Sequence, residues 1–169
     1  VTHHVLLVGL AAPLIAPESQ LALWAERAGP RAAIATYLAI TAVVYHTMLA
    51  RTWDPHGPRL VATTINHTIT PAAFLVDLAL RGAQGEARWI ATLKSMAFPA
   101  LFGAWTLAHG ALSGFYPYPF MDVAKRGYPA VLLTIVQMGV AFALICLIFI
   151  AVLRVRSRVA LAKPAAISA

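Results

Sequence analysis

The stretch LVATTINHTITPAAFLVDLAL, residues 60–80, decides the class of this protein. It is long enough for a helix to cross the roughly 30 Å hydrocarbon core of a bilayer. Yet it contains an asparagine, a histidine, four threonines and an aspartate. A soluble helix solvates such groups, whereas a helix in lipid must turn them toward its neighbours or a wet cavity. Composition decides between the two. The 169 residues are 60% hydrophobic and 11% charged, with mean hydropathy +0.76, against about 25% charged in soluble domains. The chain is therefore read as all-α, a polytopic transmembrane helical bundle.

Outward from that stretch, charged and Pro/Gly-rich interruptions mark off five apolar segments, 1–16, 32–50, 60–80, 90–112 and 129–153, with a basic tail at 154–169. The formal charge of +7 does not indicate a nucleic-acid partner, because the thirteen basic residues fall almost entirely between spans or in the tail. They read as topology signals. Arg154, Arg156, Arg158 and Lys163 place the C-terminus in the cytoplasm. Counting back puts Arg27, Arg31, Arg81 and Arg88 on the same side, and Arg51, Arg59, Lys125 and Arg126 outside. The expected location is the cell membrane, with membrane lipids as partners. The first segment is short, no basic region precedes it as in a signal peptide, and its start implies a further helix ahead of Val1, six in all. The lone Cys146 allows no internal disulfide and reads as packing.

On this topology all six histidines belong to the outer half, with His67 roughly 12 Å into the third span. Thr63, His67, Thr70, Phe74 and Asp77 lie within about 80° of helical arc, and that stripe is expected to face the bundle interior. Lys94, Phe98, Phe102, Trp105 and His109 make a matching stripe on the fourth span. If the two face each other, His67 and His109 share an outer cavity and Asp77 meets Lys94; Asp77 can also pair with Arg81 one turn later. Tyr37, Thr41 and Tyr45 share a face of the second span, with His46 turned away. His46 and His56 are weaker candidates, since an amphipathic ring near the interface is ordinary. A structural, hydrogen-bonded role competes with function for His67.

No HExxH, CxxC, GxxxxGK[ST] or GxSxG motif is present, and no histidine pair stands at i, i+4. Neither a metal site nor a cofactor is expected from motifs. Histidine with threonine is different, since a partly desolvated imidazole stays neutral near pH 7 and can take a proton from a hydroxyl. The loop SGFYPYPFMD, residues 113–122, has prolines that forbid regular helix and reads as a rigid aromatic cap, suited to a site admitting an acyl chain from the lipid side.

YLAITAVVYHTML, then LVATTINHTITPAAFLVDLAL, then GALSGFYPYPFMDV and GYPAVLL resemble, in order and spacing, a bacterial family of six-helix membrane proteins, the Pr-six-Pr family. That family is in turn similar to the eukaryotic androgen-induced and androgen-dependent (tissue-factor-pathway-inhibitor-regulating) membrane proteins. These hydrolyse fatty acid esters of hydroxy fatty acids with a threonine on one helix and a histidine on another. The resemblance implies His67 as general base and Thr2 as nucleophile, with Tyr118, Pro119 and Phe120 matching the family's loop. The expected function is lipid-ester hydrolysis, with His109, Trp105, Thr63, Thr70, Tyr116 and Tyr118 lining the substrate site. The rival expectations are a binding module holding haem, quinone or lipid through His67 and His109, and a structural or transport role.

Overall fold

The computed structural model describes residues 12–52 and 54–162. Thr2, His3 and His4 lie outside that range. Every regular element among the described residues is helical: α1 (Gln20–Ala25), α2 (Ala28–Val44), α3 (Pro58–Thr64), α4 (Thr70–Arg81), α5 (Ile90–Ser95), α6 (Ala97–Ser113) and α7 (Val123–Ala162). Among the described residues three stretches are long and apolar enough to cross a membrane: Ala28–Leu49, Ile90–Ser113 and Val123–Val159.

Two wide π-turns extend these helices. Tyr45–Leu49 follows α2, and Ile65–Ile69 joins α3 to α4. The second has a cause in the sequence. Pro71 has no N–H, and within a helix its ring presses on the carbonyl four residues back, here that of His67. The wide turn directly ahead of Pro71 gives that carbonyl room. In α7 the chain leaves helical geometry at Gly127, φ 75°, a left-handed conformation that costs glycine little. Asp122 accepts from the Lys125 backbone N–H at 3.2 Å, capping the start of α7.

The helices run back and forth between two ends. One gathers Glu26, Arg31, Arg81 and Arg154 and is called here the arginine end; the other gathers the two π-turns and the 113–122 loop and is called the histidine end. The buried apolar cluster lies toward the arginine end, where Ala28, Ala32, Ala35 and Leu38 of α2 meet Phe74 and Leu78 of α4 and Cys146, Ile150 and Leu153 of α7. Small side chains at such crossings let backbones approach closely. The arginine end is then fixed by polar bonds. The Ala28 N–H donates to the Gln84 carbonyl at 2.9 Å, and the Gln84 N–H to the Glu26 carbonyl at 2.8 Å. These bonds satisfy backbone groups at the start of α2.

Arg31, 2% exposed, bonds Glu26 at 2.9 Å and also Asp77, and its guanidinium lies 5.3 Å from the Phe74 ring centroid. Arg81 completes a quartet, 2.8 Å from Asp77 and 3.4 Å from Glu26. The pairing of Asp77 with Arg81 was legible one turn apart. The expected meeting of Asp77 with Lys94 does not occur, because Arg31 takes that place and Lys94 is exposed.

Candidate functional site

The stripe on the third apolar segment faces inward as its spacing predicts. Thr63, His67, Thr70 and Asp77 are half-buried and Phe74 is buried, while Thr64, Ile65, Thr68, Ile69 and Val76 are exposed. His67 sits at the centre of the wide turn. Its Nδ1 lies 3.0 Å from the Thr63 carbonyl oxygen. A carbonyl only accepts, so Nδ1 carries the proton and the lone pair of the neutral ring is on Nε2. Tyr45, on the facing π-turn, stacks on the imidazole with centroids 4.3 Å apart and planes inclined by 24°.

The two π-turns touch a second time. His46 Nε2 lies 3.0 Å from the Thr68 hydroxyl oxygen, and the His46 ring stands edge-on to Tyr45. The spacing turns His46 away from the Tyr37, Thr41 and Tyr45 face, but it meets the same π-turn on which Tyr45 stacks. On that face the Tyr37 hydroxyl donates to the Ser95 carbonyl at 2.6 Å, which ties α2 to α5.

A cavity of about 580 Å³ opens beside His67. This is within the roughly 300–1,000 Å³ typical of small-molecule sites. Thr41 and Val44 line it from α2, Phe98, Phe102 and Gly103 from α6, and Gly139 and Phe142 from α7, with Tyr118, Phe120 and Met121 closing it from the loop. The loop is the cap its prolines predict. Pro119–Met121 form a 3₁₀ turn that buries Phe120 and Met121. Tyr118 stacks on Phe120 at 5.2 Å and meets Phe102 edge-on. Burial pushes the Tyr118 phenol above its ordinary pKa, so it stays a neutral donor. Arg126 secures the cap by donating to the Phe120 carbonyl at 2.9 Å.

The fourth segment departs from expectation. Phe98 and Phe102 line the cavity, but Trp105 is 67% exposed and His109 is exposed. His109 lies 3.3 Å from Ser113 Oγ on its own helix and does not line the cavity with His67. A haem held between these two histidines is not served by this arrangement. The face that turns inward is instead Thr92, Ser95, Gly103, Thr106 and Gly110. Tyr116 is not at the cavity mouth but against Gly110, where an added Cβ would lie 2.0 Å from its ring. Thr63 and Thr70 flank His67 along the stripe without lining the cavity. His56 is solvent-facing beside Asp54.

Compared with profiles of known protein families, with curated proteins and with solved structures, the chain matches none. The reading of the site therefore rests on its own chemistry. Three features escaped the sequence reading: the two π-turns, the Arg31 contribution to the charged quartet, and Thr106. The Thr106 hydroxyl is buried without a hydrogen-bond partner among the described residues, whereas helical serines and threonines commonly bond back to a carbonyl. Only the second π-turn had a signal in the sequence, Pro71.

Proposed function

We propose that the protein is a membrane-embedded lipid-ester hydrolase in which His67 is the general base for a threonine hydroxyl. The observation that carries this reading is the bond from His67 Nδ1 to the Thr63 carbonyl. It makes Nδ1 the donor and Nε2 the acceptor nitrogen of a half-buried ring lining an apolar cavity. In this scheme the threonine oxygen attacks the ester carbonyl carbon as its proton passes to Nε2. The same proton then goes to the departing alkoxide, which leaves as an alcohol. Water, activated in turn by Nε2, releases the fatty acid and restores the threonine. The neutral Tyr118 phenol, in the same cavity, is a donor for the developing carbonyl oxyanion. Thr2 supplies the nucleophile on the strength of the family resemblance.

The accompanying topology is five spans with the C-terminus cytoplasmic. Pro58 to Arg81 supports a fourth span, since its successive helical segments cover about 36 Å at 1.5 Å per residue; the fifth, 1–16, lies mostly outside the described residues.

The test is turnover of long-chain fatty esters, hydroxy-fatty-acid esters included, by the full chain in detergent. His67→Ala is expected to lower the rate by about 10²–10⁴ while unfolding remains cooperative, and Thr2→Ala to match it. Turnover unchanged in His67→Ala, or none across the panel in the unaltered protein, rejects the hydrolase.

A further inference from the structure

The exposed part of the cavity wall lies on two helices. Among the described lining residues only Ala100, Val136 and Val140 are exposed, and they belong to α6 and α7. Ala100 stands about 15 Å from Ile90 along the Ile90–Ser113 stretch, and Val136 and Val140 about 12 and 18 Å from Tyr128 along α7. Both helices belong to membrane-spanning stretches, so this part of the wall is at the depth of the hydrocarbon core.

Two glycines show why the wall is open there. Gly103 and Gly139 both line the cavity, and a Cβ added to either would meet no atom within 4 Å. Glycines in membrane helices ordinarily draw backbones together. These two face empty space between α6 and α7. The described lining also holds no charged side chain, and its polar groups are Thr41, His67 and Tyr118. An occupant that complements it is uncharged along its length and carries a hydrogen-bonding group at one end.

We propose that the gap between α6 and α7 is a sideways entrance, through which an acyl chain of a membrane lipid passes from the bilayer interior into the cavity. The chain lies along Gly103 and Gly139, with its carbonyl end toward His67 and Tyr118. This builds on the hydrolase reading by fixing the route and the recognised part of the substrate, but entry and binding do not themselves require hydrolysis.

The experiment uses the full chain in phosphatidylcholine vesicles with a palmitoyl ester bearing a diazirine, and maps the photolabel by mass spectrometry. Label is expected on the facing walls of α6 and α7. Val136 and Val140 are 61% and 53% exposed, so Val136→Trp and Val140→Trp obstruct the entrance without disturbing the core. Each is expected to reduce labelling about tenfold, equivalent to roughly 1.4 kcal/mol of binding. Gly139→Leu, which fills the void, is expected to act likewise. Leu133→Trp, at a 58% exposed position of the same helix off the cavity, is expected to leave labelling intact. Undiminished labelling in both valine variants overturns the entrance. Labelling blocked by them, alongside turnover indifferent to His67→Ala, leaves the entrance standing and removes the hydrolase.

Discussion

The two ends of the bundle treat polar groups in opposite ways. At the arginine end, Glu26, Arg31, Asp77 and Arg81 pair two acids with two bases, and Arg154 and Arg156 donate to backbone carbonyls. Charge there is spent on charge, and the small residues of α2 close the packing around it. At the histidine end the helices are widened by π-turns, and a cavity remains beside His67 whose described lining holds no Asp, Glu, Lys or Arg. One end fixes the helices against one another. The other keeps room and a basic nitrogen, a combination that suits chemistry on a bound molecule.

The most direct way to break this contrast is Arg31→Ala. It leaves Glu26 and Asp77 to share Arg81 alone beside an emptied buried position, and loss of one partner from a buried ion pair costs about 3–5 kcal/mol. Chemical unfolding in detergent is expected to show a loss of that size, with Arg31→Lys in between because it keeps the charge without the two-pronged geometry. A loss below about 1 kcal/mol would mean the quartet does not hold the arginine end together. Gly110→Ala comes next. Its methyl collides with the Tyr116 ring, and overpacking of this kind costs about 1–3 kcal/mol. Tyr116 fluorescence or loop proteolysis is expected to report its displacement, while the Arg31 quartet is left intact.

Tyr45→Leu sharpens the comparison at the histidine end. Removing the stack on His67 is expected to cost about 0.5–1.5 kcal/mol and to lower turnover by loosening the base, so a stability loss with unchanged turnover would show that stacking does not position the imidazole. Thr106→Val has the smallest expected effect. The hydroxyl it removes has no hydrogen bond among the described residues, so stability should hold or rise by about 1 kcal/mol; a marked fall would reveal a partner for that hydroxyl.

Much of this architecture could be read from the residues. The stripe from Thr63 to Asp77 faces inward because five polar or aromatic groups at helical spacing leave a helix in lipid few other orientations. The cap could be read from its prolines, and the shared face of Tyr37, Thr41 and Tyr45 from its period. The stripe of Lys94, Trp105 and His109 misled for a physical reason. In a membrane, large side chains can face lipid or the interface, and the contact between helices goes to small residues; on α6 the inward face is that of Thr106 and Gly110, with Gly103 turned to the cavity. Arg31 could not be assigned to Asp77 from sequence because the two are 46 residues apart and no local spacing links them. The π-turn at Tyr45 has no proline behind it and remains without a sequence cause.

The anchoring of α7 has a mechanical side. Arg156 donates to the Leu78, Ala79 and Leu80 carbonyls, and Arg154 to that of Ala87 at 2.7 Å while lying 5.2 Å from the Trp89 ring centroid. From Tyr128 to Ala162 the helix measures about 52 Å, well beyond the hydrocarbon thickness. A free helix of that length would tilt or slide to match bilayers of different thickness. Here one end is moored to its neighbours by carbonyls and a ring, so the register of α7 against α4 is set by Arg154 and Arg156 rather than by the bilayer.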